Sequence, residues 1–175
     1  GGGSGGGRGT FALTVTVVGF GPVPSGDGHI SCTSSGGTCS FDYASGAAVV
    51  LTQTPDTNMA LLAWSGGTCS GGGATCSFTM NPPRSVTATF VDTFLLSVNV
   101  SGSGTVFSPD GGINCGSAGG ACSARFNDGT AVSLAQSADA GWYFAGWGTD
   151  CTGAGTCSVT LDTDRTVDGF FNGPF

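Results

Sequence analysis

The sequence Phe-Ala-Leu-Thr-Val-Thr-Val at residues 11–17 decides the fold class, and it returns as Phe-Leu-Leu-Ser-Val-Asn-Val at residues 94–100. From the third residue onward, apolar and polar residues alternate in both segments, which is typical of a half-buried β-strand. Further short apolar or alternating runs, separated by Gly, Pro, Asn and Asp, lie around residues 39–43, 47–53, 59–64, 76–80 and 86–90. No long window has the spacing of an amphipathic helix, so we predict an all-β chain.

The chain contains an internal repeat. Residues 11–64 align without a gap onto residues 94–147, with 24 of 54 positions identical. Two single-residue gaps then extend the alignment to the end of the chain. We therefore predict a Gly-rich tail (1–10) and two β modules (11–91 and 92–175), joined by a short linker at residues 91–93. Each module is small, and we expect it to be β-grasp-like or sandwich-like.

The eight cysteines fall into four close pairs. Each pair closes a loop of five or six residues rich in Gly, Ser and Thr, and the pairs are Cys32 with Cys39, Cys69 with Cys76, Cys115 with Cys122, and Cys151 with Cys157. The spacing favours these local disulfides, each of which stabilises the fold by roughly 2–3 kcal/mol. Zinc is the alternative, but structural zinc sites use shorter spacings and often His, and the chain has one His. Disulfides indicate an oxidising compartment, so we expect an extracellular or cell-surface protein.

The motifs of each module resemble a known family. The second module combines Ser-Pro-Asp-Gly-Gly-Ile-Asn-Cys (108–115), Phe-Ala-Gly-Trp (144–147), a Cys pair and Arg-Thr-Val (165–167). Together with the opening strand, this order resembles the divergent internalin-type B-repeat of bacterial secreted and surface proteins. The first module departs modestly, with Ala63 in place of the Gly before Trp64. The resemblance implies a small, mostly β module strung in tandem in stalks and adhesins, with no catalysis and no ligand-binding residue to transfer.

Composition excludes several kinds of partner. The chain has 34 Gly, eleven Asp, four Arg and no Lys or Glu, for a net charge of −7. Four scattered Arg cannot neutralise a row of phosphates, so we expect no nucleic acid partner. There is no polybasic membrane-binding segment and no run of 18 apolar residues, so we expect no membrane insertion. We also expect no cofactor, no resident metal and no enzymatic activity.

Each of the remaining candidate site residues can have either a functional or a purely structural role. Trp142 and Tyr143 have no aromatic counterparts in the first module, and one of them must point away from the core; we name them as assembly-interface residues, with a carbohydrate contact or plain packing as alternatives. The carboxylates of Asp162, Asp164 and Asp168 could bind Ca²⁺ or line a solvated turn. The single His, His29, lies in a Gly-rich turn, which is a poor position for a catalytic base.

The tail and the apolar C-terminus are the remaining candidates for assembly. A Gly-rich tail is typical of a flexible linker, but it can also lie along the sheet edge of a neighbour and bond through its backbone. The predicted interface therefore includes Gly1, Gly2, Gly3, Gly5, Gly6, Gly7, Arg8 and Phe175. We interpret the chain as a self-assembling structural subunit of an extracellular bacterial filament or surface layer. The alternatives are a stalk or adhesive module of a larger adhesin, with a glycan or cell-surface protein partner, and an accessory part of a secreted hydrolase.

Overall fold

The computed structural model describes residues 9–174, and within this range the chain forms only β-strands, turns and loops. It divides into two compact units between Asp92 and Thr93, here called the first and second modules. Each module contains two of the four predicted disulfides. The prediction of an all-β chain of two disulfide-stapled modules is confirmed. No helix long and apolar enough to cross a membrane occurs in residues 9–174.

The two modules use equivalent strands. The strands of the first module are β1 Thr10–Val18, β2 Val23–Pro24, β3 Ser31–Thr33, β4 Gly36–Thr38, β5 Ser40–Ala44, β6 Ala48–Thr52, β7 Met59–Ser65 and β8 Thr75–Thr79. Strand β9, Arg84–Ser101, contributes residues to both modules. The strands of the second module are β10 Gly104–Phe107, β11 Asn114–Gly116, β12 Gly119–Ala121, β13 Ser123–Asn127, β14 Thr130–Ala138, β15 Tyr143–Thr149, β16 Cys157–Leu161 and β17 Arg165–Asn172.

Each module has a main sheet of four strands in the same order. In the first module the order is β5-β1-β9-β7, and in the second it is β13-β9-β17-β15. The two central strands are parallel and the outer strands are antiparallel to them. A β-bulge interrupts β7 between Leu61 and Ala63, and an equivalent bulge interrupts β15 between Phe144 and Gly146. The two halves of the chain therefore repeat the same local irregularity as well as the same topology.

A second layer covers one face of each main sheet, and it differs between the modules. In the second module it is a continuous sheet, β12-β11-β10-β14-β16, whereas the first module has separate sheets β2-β3-β4 and β6-β8 joined by one bridge, Ser25 to Leu51. Pro22, Pro24 and Pro55 occupy the positions where the second module has Thr105, Phe107 and Ala138. Because proline has no N–H, Pro22 and Pro24 cannot donate to β6 as residues of β10 donate to β14 in the second module, although the Thr54 N–H still donates to the Pro22 carbonyl at 3.1 Å.

The core of each module lies between its two layers. Alternate residues of the central strands point into it, and the largest fully buried side chains are Leu13, Ile30, Leu51 and Met80 in the first module and Leu96, Ile113 and Leu161 in the second. The remaining residues of each alternating strand point to the opposite, outer face of the main sheet. That outer face carries the exposed aromatic residues considered below.

Candidate interaction surface

The tryptophan that ends the Phe-Ala-Gly-Trp motif is a structural residue in both modules. Trp64 is buried, and its indole N–H donates to the Gly73 carbonyl at 2.7 Å, inside the Cys69–Cys76 loop. Trp147 makes the same bond to Gly155 at 2.7 Å, inside the Cys151–Cys157 loop. A ring that is enclosed by the core and a disulfide loop has no face free for a sugar. These two tryptophans therefore hold the disulfide loops onto the sheet.

The Ser-x-Asp-Gly turn of the first module brings a serine, an aspartate and the single histidine together. Asp27 Oδ1 accepts from Ser25 Oγ at 2.5 Å, from the His29 backbone N–H at 3.1 Å and from Tyr43 OH at 3.1 Å. The His29 ring stacks on Phe41 with centroids 4.0 Å apart, and its Nδ1 lies 3.4 Å from Asp27 Oδ1. Burial alone would raise the pKa of Asp27, but the hydrogen bonds from Ser25, His29 and Tyr43 outweigh it and lower the pKa to about 2.

This arrangement does not form a catalytic triad. A nucleophilic serine hydroxyl must donate to the histidine that takes its proton, whereas Ser25 donates to the aspartate. Ser25 Oγ also accepts from the Ile30 backbone N–H at 2.9 Å. In the second module Ser108 donates to Asp110 and accepts from the Ile113 N–H at 2.9 Å, with Gly112 in the place of the histidine. The turn is thus a repeated structural device that works without the histidine.

The three carboxylates near the C-terminus have separate partners. Asp162 pairs with Arg165 at 2.6 Å, Asp164 Oδ1 accepts from the Leu95 backbone N–H at 2.8 Å, and Asp168 accepts from Asn99 and Thr149. Within residues 9–174 no group of three His, Cys, Asp or Glu side chains is arranged to hold a metal ion. These carboxylates fix turns and neighbouring strands of the second module.

Trp142 and Tyr143, the aromatic pair predicted to contribute to assembly, point in different directions. Trp142 packs over Gly102 and Gly173, because a Cβ at either glycine would lie within 3.1 Å of its ring. Tyr143 is 53% exposed and pairs with Asn172 on the neighbouring strand. Trp142 therefore covers two glycines while 37% of the residue stays exposed, and Tyr143 is the more exposed member of the pair.

Phe170, which the sequence indicates only as part of the apolar C-terminus, is also an exposed aromatic residue, as are Phe20 and Phe107. It is 42% exposed and lies on β17, one strand over from Tyr143. Phe170 and Phe171 are adjacent in sequence, so composition alone does not say which ring is buried. The signal that distinguishes them is alternation, since Val167 and Phe171 face the core and Phe170 must face outward.

The predicted assembly residues of the tail (Gly1, Gly2, Gly3, Gly5, Gly6, Gly7 and Arg8) and Phe175 lie outside the described residues. The first residue that the structure describes, Gly9, accepts a hydrogen bond from the Ser45 backbone N–H at 2.9 Å. Thr10 then pairs with Ala44 of β5, which is an edge strand of the main sheet. The assembly role of the tail, Trp142 and Tyr143 stays a prediction.

Comparison with protein families supports the repeat and its identity. The family model described as divergent InlB B-repeat domain matches residues 23–93 and again residues 96–173. The chain belongs to this family. Its two B-repeats fall in the two modules described above, and each contains one Ser-x-Asp-Gly turn and one buried tryptophan. Comparison with curated protein sequences gives no significant match.

Two solved structures of pilins show weak likeness to the B-repeat chain. A streptococcal ancillary pilin is 10% identical with a TM-score of 0.30, over 93% of this chain and 62% of the pilin. The major pilin T-13 of Streptococcus pyogenes is 8% identical with a TM-score of 0.26, over 95% of this chain and 97% of the pilin. The chain thus spans about 62% of the length of the ancillary pilin that it matches. Similarity at this level does not identify a shared fold or role.

Proposed function

We propose that this chain is a non-enzymatic structural subunit of an extracellular bacterial filament or surface layer. The observation that carries the proposal is strand β9, a central strand of both main sheets, which in chain order is the last strand of the first sheet and the first strand of the second. A module whose last strand continues as the first strand of the next is suited to serial extension. The four closed disulfides support an oxidising, extracellular setting.

Self-assembly would proceed through the N-terminal tail and the open sheet edges. The main sheet of the first module ends in strands β5 and β7, and that of the second module in β13 and β15. Edge strands present unpaired backbone groups, to which an extended segment can add. The tail leaves the first module next to β5, at Gly9, so it begins beside a sheet edge. If the tail of one copy pairs with an edge of the next, the contact is head-to-tail and generates a filament when it does not close into a ring.

Deletion of residues 1–8 tests this proposal without disturbing the first module. The deletion keeps Gly9, whose carbonyl accepts from Ser45, and all of β1. We expect the full chain to form filaments in negative-stain electron microscopy and the shortened chain to remain monomeric in light scattering. The variant carrying both Gly3→Pro and Gly6→Pro loses two backbone donors and is expected to behave like the deletion, whereas Ser4→Ala keeps every backbone N–H and serves as the matched control. Filaments of normal appearance from the shortened chain, or a full chain that stays monomeric at all concentrations, would sink the proposal.

A further inference from the structure

The outer face of the second module's main sheet carries a compact mixed surface of aromatic and polar side chains. On β17, Val167, Gly169 and Phe171 are buried, so the residues between them face outward. These outward residues and their neighbours on β9 and β15 define what we call the outer platform: Asn99, Tyr143, Gly148, Thr149, Asp168, Phe170 and Asn172.

The ring of Phe170 rests on the backbone of the neighbouring strand. A Cβ at Gly148 would lie 2.8 Å from Phe170 Cε2 and 3.3 Å from Cζ, so the ring occupies the space that a side chain there would take. Phe170 as a whole is 42% exposed. Tyr143 lies opposite Asn172 on the neighbouring strand, two residues along β17 from Phe170, with the β-bulge of β15 between Tyr143 and the residue opposite Phe170. The platform therefore presents two separated aromatic side chains on one face.

Polar groups flank both aromatic side chains. Next to Phe170, Asp168 accepts from Asn99 Nδ2 at 2.8 Å and from Thr149 Oγ1, and these bonds lower the pKa of its carboxyl and keep it ionised. Next to Tyr143, the side-chain amide of Asn172 lies 3.4 Å from the phenol oxygen. Carboxylate and amide oxygens accept hydrogen bonds, and amide nitrogens and the phenol donate them. Each ring thus has hydrogen-bonding groups beside it.

The first module lacks this platform. Its residues at the equivalent positions are Thr16, Ala60, Ser65, Gly66, Thr87, Thr89 and Val91. The aromatic ring and the glycine beneath it are both absent there, because Thr89 occupies the position equivalent to Phe170 and Ser65 occupies the position equivalent to Gly148. The first module forms the same main sheet without these residues, so the platform is not needed to form the fold of the repeat.

We propose that the outer platform binds a neutral polysaccharide built from hexoses with equatorial hydroxyls, such as a β-1,4-linked glucan. The flat C–H faces of such sugars match the exposed faces of Phe170 and Tyr143, and their in-plane hydroxyls can donate to Asp168 and exchange hydrogen bonds with Asn172. A carboxylate accepts hydrogen bonds strongly, so it orients the sugar as well as holding it. This inference goes beyond the structural role and does not depend on filament formation.

The negative charge of the platform favours a neutral polysaccharide over an anionic polysaccharide or a protein partner. The platform contains an ionised carboxylate and no cation, and the chain carries a net charge of −7, so a sulfated or uronic polysaccharide would be repelled. The centres of protein–protein interfaces are depleted in charged residues, whereas the platform includes the ionised Asp168. A sugar hydroxyl, in contrast, brings a donor.

The binding test uses two variants. In each, an exposed Phe is replaced by the residue at the equivalent position of the other module. Phe170→Thr removes the platform ring, and Phe20→Ser removes a ring that is 63% exposed in the first module and corresponds to Ser103. The probes are microcrystalline cellulose in a pull-down and cellohexaose in calorimetry, with heparin as the anionic comparison. We expect Phe170→Thr to weaken binding by about tenfold and Phe20→Ser to leave it unchanged.

Three results would overturn the inference. The first is a wild-type chain that binds neither cellulose nor cellohexaose, or binds heparin more tightly. The second is an equal loss in Phe170→Thr and Phe20→Ser, which would indicate nonspecific adsorption through exposed rings. The third is a Phe170→Thr variant that keeps glycan binding but has a smaller oligomer in light scattering, which would make the platform a contact between copies. An unchanged near-ultraviolet circular dichroism spectrum shows that each variant is folded.

Discussion

Gly19→Ala and Gly28→Ala test whether the close approach of the backbone to Gly19 makes a side chain at that position destabilise the first module. Both glycines have a positive φ, +81° at Gly19 and +79° at Gly28, so an alanine pays a similar conformational cost at each. The surroundings differ. A Cβ at Gly19 would lie 2.2 Å from the Phe90 carbonyl oxygen, whereas a Cβ at Gly28 would have no atom within 4 Å. The pair therefore separates the steric cost from the conformational one.

The expected magnitudes follow from this difference. Alanine in the left-handed region costs about 1–2 kcal/mol, and the more restricted unfolded chain returns about 0.4–1 kcal/mol, so Gly28→Ala is expected to lose about 1 kcal/mol. At Gly19 the Phe90 carbonyl must also move by about 1 Å to reach ordinary contact. Because β9 pairs with β7 at Phe90, this movement disturbs the sheet and raises the loss to about 3–4 kcal/mol.

Urea unfolding followed by tryptophan fluorescence measures both variants, with a fit that allows the two modules to unfold separately. Gly111→Ala in the second module, with φ +78° and no atom within 4 Å of its Cβ, is the matched control for Gly28→Ala. Equal losses for Gly19→Ala and Gly28→Ala, within about 0.5 kcal/mol, would refute the steric reasoning.

Two further predictions concern the repeated polar contacts. Because the folded pKa of Asp27, about 2, lies below its unfolded value, its contribution to stability is complete above pH 4 and is lost as pH falls toward 2. About a third of the side chain is exposed, so we expect this contribution to be about 1 kcal/mol. In a pH series of urea unfolding, Asp27→Asn should reduce the acid loss of the first module by about this amount and leave unchanged the acid loss of the second module, where the pKa values of Asp110 and Asp168 are also lowered. Trp64→Phe and Trp147→Phe each remove an indole donor from a glycine carbonyl at 2.7 Å, so we expect similar losses of about 2 kcal/mol in the two modules; a markedly unequal pair would show that the loops are held differently.

Much of the fold could be predicted because its signals are local. Period-two alternation marks β1, β8 and both halves of β9, and close cysteine pairs in short loops leave little choice of partner. The hairpins inside two of these loops were not predicted, because Gly36-Gly37 and Gly119-Gly120 have the composition of an open loop. Their positive φ angles instead allow β3–β4 and β11–β12 to pair.

The features of the fold and of the platform that the sequence does not predict depend on contacts between residues far apart in the chain. Residues 91–93 fall between the two aligned repeats and are therefore predicted to be a linker, yet they lie inside β9, because β7 pairs with Asp92 and β13 pairs with Thr93. The outer platform was not predicted either, apart from Tyr143. Its members come from three strands, and their shared face depends on a register that no single segment of the sequence encodes.

The parallel pairing at the centre of each main sheet has a mechanical consequence. Strand β1 enters the first module and β9 leaves it, and the two are paired side by side over six positions, from Leu13 with Arg84 to Val18 with Thr89. The second module repeats this with six pairs between β9 and β17. When tension pulls the entry and exit of such a module apart, the two strands are loaded in shear, so all of the bonds between them resist together rather than opening one by one. The segments between the clamped strands, including both disulfide loops, are then shielded from the load until the clamp slips.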